Sequence, residues 1–151
     1  MRYWLMKSEP DEFSIADLER RGREPWGGVR NYQARNYMRD DMAIGDLVFF
    51  YHSSCAEPGV VGLATIDSAA LPDPTQFDPA SDYYDPKSPR EAPRWLLREV
   101  AFKARWKTPV TLTRLRDDER FAGMMLLARG TRLSITPVEP AHAKLLLKLG
   151  K

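Results

Sequence analysis

The sequence predicts an α+β fold, a small curved sheet or pseudo-barrel of about five mostly antiparallel strands flanked by short helices. Three observations carry that expectation. Apolar or alternating runs of strand length recur along the chain, and between them lie short segments with helix start and stop signals. The composition is 43% hydrophobic and 29% charged, which packs a core and is incompatible with general disorder. The 151 residues are the size of one domain, and 1–151 are read as one.

Each element has a local cause. Tyr3 to Lys7 reads as the first strand. Ser14 is then a good N-cap with Asp17 three residues on as its capping-box partner, Phe13 and Leu18 occupy the staple positions, and Gly22 stops that helix. Trp26-Gly27-Gly28-Val29 reads as a flexible connector. Asn31 to about Arg39 suits a second helix, with Ala34, Tyr37 and Met38 on its buried side and Arg35 and Arg39 one turn apart on the other. Leu47 to Tyr51 is a continuous apolar run and Val60 to Ile66 another, joined as an antiparallel hairpin by the loop from Ser53 to Gly59. Leu71 to Pro93 is irregular and rich in proline, and it reads as an insertion between two strands of one sheet. Arg98 to Trp106 alternates, with Val100, Phe102, Ala104 and Trp106 inward. A short helix begins at Thr111, Leu133 to Thr136 alternates again, and Glu139-Pro140 opens a last helix with Leu145, Leu146 and Leu149 on one face.

Charge and cysteine content exclude several classes. The formal net charge of +2 rules out a polybasic wrapper. The lone Cys55 allows no internal disulfide and no cysteine-built zinc site. The apolar run at Met1 to Lys7 is too short for a signal peptide, and no stretch approaches the roughly 20 residues of a membrane span, so no membrane partner is expected. The cytoplasm, or the nucleus of a eukaryotic cell, is the expected location. The near-neutral total conceals segregation. Arg20 to Arg39 holds six arginines against Glu24 alone, Lys87 to Arg116 holds nine basic residues against Glu91 and Glu99, and Asp67 to Asp85 holds five aspartates with no cation. Such blocks suit one face for an anionic partner.

Catalytic patterns are weak. His142 lies in the last helix. His52 ends a strand and has half-zinc spacing to Cys55, but no second half exists and no third group orients a Cys-His nucleophile. Paired aspartates at 40–41, 82/85 and 117–118 fall in turns, where aspartate is favoured for turn chemistry. No phosphate-cradling loop or deaminase signature is present. Binding has better material. Trp26 sits inside the arginine-rich block, beside Arg30, Asn31, Tyr32 and Gln33. These residues are either core aromatics with surface neighbours, or the stacking face, polar edge and phosphate contacts that a nucleobase needs. On the second reading Trp26 stacks the base, and its loss weakens binding while sparing the fold.

Taken in order, Lys7-Ser8-Glu9-Pro10, Trp26 through Asn36, Gly45-Asp46, Phe50-Tyr51-His52-Ser53, Pro58 through Gly62, Tyr83-Tyr84-Asp85-Pro86, Pro93-Arg94-Trp95 and Arg132 through Val138 resemble the EVE domain family across essentially the whole chain. The resemblance implies a PUA-like pseudo-barrel related to YTH domains, and a non-catalytic reader of modified nucleobases, with modified cytosine in DNA the leading ligand. It places the ligand against Lys7 and Ser8, Trp26, Gly27, Gly28, Val29, Arg30, Asn31 and Tyr32, Tyr51, His52 and Ser53, and Ser134. Arg35 and Arg39 are expected to meet phosphate. No cofactor and no metal are expected. The alternatives are an RNA-binding or RNA-modification accessory module and an enzyme using His52.

Overall fold

In the computed structural model, which describes residues 1–151, the chain forms a seven-stranded mixed sheet with short helices on both faces. The strands are β1 (Tyr3–Ser8), β2 (Arg23–Trp26), β3 (Leu47–His52), β4 (Gly59–Ile66), β5 (Leu71–Pro72), β6 (Leu96–Thr111) and β7 (Ile135–Val138). The sheet runs β2-β6-β4-β3-β1-β7, with β5 paired to β6 off that path. Only β1 and β3 pair in parallel; every other pairing is antiparallel.

Strands β1 and β3 are buried on both sides, which is why Leu47 to Tyr51 reads as an unbroken apolar run. Trp4, Met6, Val48 and Phe50 join one core with Ile15, Leu18, Ala34 and Met38. Leu5, Phe49 and Tyr51 join the other with Trp106, Leu115, Phe121 and Leu146. Successive side chains point to opposite faces, so a single strand feeds both cores. Helices α1 (Ile15–Arg21) and α2 (Tyr32–Asn36) cover the first face, and α3 (Leu112–Asp117) and α4 (Pro140–Leu149) lie with the second. No helix is long and apolar enough to cross a membrane.

Local signals act as read at α1. Ser14 Oγ accepts from the Asp17 amide at 3.1 Å while the Asp17 carboxylate accepts from the Ser14 amide at 2.9 Å, a complete capping box. Gly22 takes φ +80° and closes the helix. Three features depart from expectation. The sheet has seven strands, because Arg23–Trp26 and Leu71–Pro72 pair with β6; β2 ends the sheet order, where Pro25 forfeits no essential ladder bond. The helix expected to reach Arg39 stays α-helical only to Asn36 and widens into a π turn over Tyr37–Asp41. The buried Arg98 guanidinium on β6 donates to the carbonyls of Met38 in that turn and Met42 at its end, at 2.7 and 2.8 Å, and ties them to the Ser68 carbonyl just after β4 at 2.8 Å. Finally, β7 begins two residues later than the alternation suggests, leaving Ser134 just outside it.

The irregular segment from 67 to 95 does leave and re-enter one sheet, between β4 and β6. It is organised by polar contacts rather than by apolar periodicity. The buried Gln76 amide donates to the carbonyls of Asp73 and Trp95, and its oxygen accepts from Ser88 Oγ and the Trp95 amide, all within 3.0 Å.

Candidate ligand cavity

Topology brings distant residues to one end of the sheet. Because β1 and β3 run parallel, Ser8 and His52 end side by side, and Ser53 donates its amide to the Ser8 carbonyl at 3.0 Å. Antiparallel β7 starts where β1 ends, with the Lys7 amide donating to the Ser134 carbonyl at 2.8 Å. The segment that leaves β2 at Trp26 completes a cavity of about 700 Å³. Only four of its 18 lining residues are hydrophobic, so it suits a polar ligand rather than a lipid or alkyl chain.

Trp26, Phe13 and Tyr83 supply its aromatic surface. Trp26 is 9% exposed and packs edge-on against Phe50 with ring centroids 5.5 Å apart, so it belongs to the core as well as to the wall. The alternatives posed by the sequence are therefore not exclusive, and loss of Trp26 cannot spare the fold. Gly28 adopts φ +75°, and the Tyr83 ring lies only 2.9 Å from where a Cβ would project, so only glycine lets the loop tyrosine close over this backbone.

Asp73 holds the wall in place. Its carboxylate is 1% exposed and accepts from the Gly28 amide at 2.8 Å, Arg30 Nη1 at 3.1 Å, and the amide and hydroxyl of Thr75 at 2.9 and 2.6 Å. Burial alone would raise its pKa, but these bonds together hold it below the usual carboxylate value. Arg30 also donates to the Tyr83 carbonyl at 2.8 Å and lies over the Tyr83 and Trp95 rings.

Of the residues expected at the site, Lys7, Ser8, Trp26, Gly27, Gly28, Val29, Arg30, Ser53 and Ser134 line this cavity. Four others are placed elsewhere. Asn31 caps α2, its Oδ1 accepting from the Ala34 amide at 3.0 Å. Tyr32 is half exposed and stacks on Trp95 at 4.8 Å, with the Arg35 guanidinium 4.9 Å from its ring centroid. Tyr51 belongs to the second core and lines a neighbouring cavity. His52 Nε2 accepts from the Ile15 amide at 3.1 Å, a role that fixes the start of α1.

Burial, together with the positive Arg105, pushes the His52 pKa below its ordinary value. The unfolded chain therefore binds this proton more readily, and the stability His52 contributes is present above about pH 6.5 and lost as pH falls through the folded value. We expect wild-type thermal stability to fall on acidification through that window and His52→Gln, whose amide oxygen can still accept, to lose this step. A wild-type profile identical to that of His52→Gln would show that His52 does not titrate against the helix start.

The arginine-rich block is spoken for internally. Arg20 pairs with Asp17, Arg21 with Glu24, Arg23 with Asp67 and Glu99, Arg30 with Asp73 and Arg39 with Asp40, while Arg35 donates to the Arg94 carbonyl at 2.7 Å. Arg35 and Arg39, expected to meet phosphate, thus already have partners and do not line the cavity. By contrast Lys7, half-buried in the wall with its pKa lowered by burial, has no ion-pair partner, and neither has Arg132. No group of three His, Cys, Asp or Glu side chains converges to hold a metal.

The cavity is also lined by residues outside the expected set: Glu9, Glu12, Phe13, Arg21, Glu24, Pro25, Ser54, Tyr83 and Arg132. Ser54 takes φ +53°, the one non-glycine residue in the left-handed region, and such strain is concentrated at functional sites. The only advance signals were two adjacent tyrosines in a proline-rich loop and a Glu-Pro following the first strand.

Fold and cavity together define an α+β domain whose pocket is built at one end of a mixed sheet. The EVE domain model matches residues 2–149, and the chain belongs to that family, with the PUA-like fold the sequence implied. Mouse thymocyte nuclear protein 1 is 39% identical over 97% of this chain and 73% of its own length. A crystallised protein from Pseudomonas syringae is 48% identical and superposes with a TM-score of 0.93, covering 97% of this chain and 98% of that one. The human THYN1 protein, crystallised in complex with 5-methylcytosine-containing DNA, is 38% identical with a TM-score of 0.93, covering 99% and 97%.

Proposed function

We propose that this chain is a non-catalytic DNA-binding domain that takes a modified cytosine out of the base stack and into the cavity. The observation that carries this reading is the convergence of aromatic faces with uncommitted hydrogen-bonding groups in one polar pocket of about 700 Å³. The relative crystallised with 5-methylcytosine DNA supports the choice of base and polymer. Trp26 offers a stacking surface and Tyr83 a second ring beside it. A cytosine edge presents an amino donor and two acceptors, matched here by the carboxylates of Glu9 and Glu12 on one hand and by Lys7, Ser53 and Ser134 on the other. His52 is engaged by Ile15, which counts against the proton-transfer alternative.

An apolar slot distinguishes one methyl group by only about 1–3 kcal/mol, so finer discrimination rests on polar groups left unpaired by a wrong base. The test is affinity against plain and modified cytosines in single- and double-stranded DNA and RNA. Tightest binding is expected to modified cytosine in DNA, with mismatched or single-stranded sites favoured by up to about a few kcal/mol because the base is already unstacked. Ser53→Ala and Ser134→Ala are expected to reduce preference among bases more than total affinity. Equal affinity for modified and plain bases in every context would end the reader hypothesis, and a preference for RNA would move the protein to the RNA-binding alternative.

A further inference from the structure

A second cavity of about 390 Å³ adjoins the first, and Lys7 belongs to the walls of both. Its other lining includes Tyr51, Arg116 and Arg129, and the turn from Ala128 to Thr131 that leads directly to Arg132 in the first cavity. Lys7, Arg116, Arg129 and Arg132 make no ion pair and no side-chain hydrogen bond within the protein, and the three arginines are exposed. This contrasts with the arginine-rich block, where five of six guanidiniums are already paired with carboxylates. A cation neutralised by its own protein has little counterion to exchange for phosphate, whereas an unpaired one gains fully. Other cations are also unpaired, Lys103, Arg114 and Lys144 among them, but Lys7, Arg116, Arg129 and Arg132 are the unpaired ones that line the two adjoining cavities, and they mark the phosphate path.

Resting on the reading of the first cavity as a nucleobase pocket, we propose that the second cavity is a phosphate subsite, in which Lys7, Arg129 and Arg116 hold the backbone of the same DNA strand immediately beside the extruded base. Arg132, at the junction, contacts the phosphate joining the two. Tyr51 closes the floor, and its hydroxyl donates to the phosphate oxygen rather than ionising. Burial raises its pKa in spite of the nearby Arg116, so it keeps its proton at neutral pH. The first cavity thus reads the base, and the second fixes register without reading sequence.

The experiment measures binding of an oligonucleotide bearing one 5-methylcytosine, and of its plain counterpart, as a function of salt. Arg116→Gln with Arg129→Gln is expected to lower the magnitude of the log–log salt slope by about 1.4–1.8 and to weaken binding roughly tenfold or more at low salt. The ratio of affinities for modified and plain DNA should stay at the wild-type value, because the base pocket is untouched. Lys144→Gln with Lys148→Gln removes the same charge from exposed positions on α4 that line neither cavity. Equal slope changes in the two double variants would reduce the effect to net charge and overturn the subsite, as would an unchanged slope in Arg116→Gln with Arg129→Gln. A wild-type protein that shows no preference for the modified oligonucleotide would instead overturn the reading of the first cavity, so the two failures are separable.

Discussion

Replacing Asp73 by alanine is expected to cost about 3 kcal/mol of stability and to abolish selective binding of modified DNA. Removing one member of a buried ion pair costs roughly 3–5 kcal/mol because the other charge is left uncompensated. The lower figure applies here, since the Arg30 side chain keeps 22% of its surface in water. Besides Arg30, the substitution orphans the Gly28 amide and frees Thr75, so the wall carrying Trp26 to Arg30 loses its tie to the 67–95 segment. Asp73→Asn keeps the shape and one acceptor oxygen, but it loses the charge and sets an NH2 donor where the second oxygen accepted, so about half the cost or more is expected. Acid should imitate that variant. The folded carboxyl titrates below its ordinary value of about 3.9, so its contribution is complete above that pH and fades as pH falls through the folded value. Chemical denaturation of the three proteins at neutral and acid pH measures this. If Asp73→Ala is as stable as wild type, the carboxylate is not what pins the wall.

Trp26→Ala is expected to remove about 3–5 kcal/mol of stability, the usual cost of truncating a buried aromatic, and to abolish base binding with it. The indole packs edge-on against Phe50 within the first core, and the surface it turns to the cavity is the small remainder. Since the alanine variant confounds folding with binding, Trp26→Phe is the informative partner. It retains an aromatic against Phe50 at a cost of about 1–2 kcal/mol and offers a smaller stacking surface. Base stacking on an aromatic is worth roughly 1–3 kcal/mol, so a folded Trp26→Phe should bind modified DNA several-fold more weakly. A folded Trp26→Phe with wild-type affinity and selectivity would leave the tryptophan as packing alone.

Much of the site was readable because it is written in short segments. Lys7-Ser8 and Ser53 stand where expected strands end, and Trp26 through Arg30 and Ser134 lie in short motifs that carry the family resemblance. Asn31, Tyr32, Tyr51 and His52 adjoin those segments in sequence yet face other ways. Tyr51 is drawn into the second core and His52 is held by the Ile15 amide at the start of α1, contacts that bring together residues more than 30 places apart in sequence. Tyr83 was legible only as part of a loop motif and Asp73 not at all, because both arrive from a proline-rich segment with no periodicity to place them.

By itself the sequence determined whatever depends on neighbours within about four positions. The capping box at Ser14 and Asp17, the glycine stop at position 22, the apolar run of β3 and the proline start of α4 are all of that kind, since their hydrogen bonds and packing are local. Only the tertiary structure decided which charges remain free. Arg30 meets Asp73 across 43 positions and Arg23 meets Glu99 across 76, so these two arginines are neutralised by acids that no local pattern associates with them, whereas Arg20, Arg21 and Arg39 pair with acids close by in sequence. The two strands that pair only through β6, and the π turn that Arg98 holds from 56 to 60 residues away, follow the same rule. Coulomb attraction and strand pairing act on distance in space, and the fold alone converts distance along the chain into that.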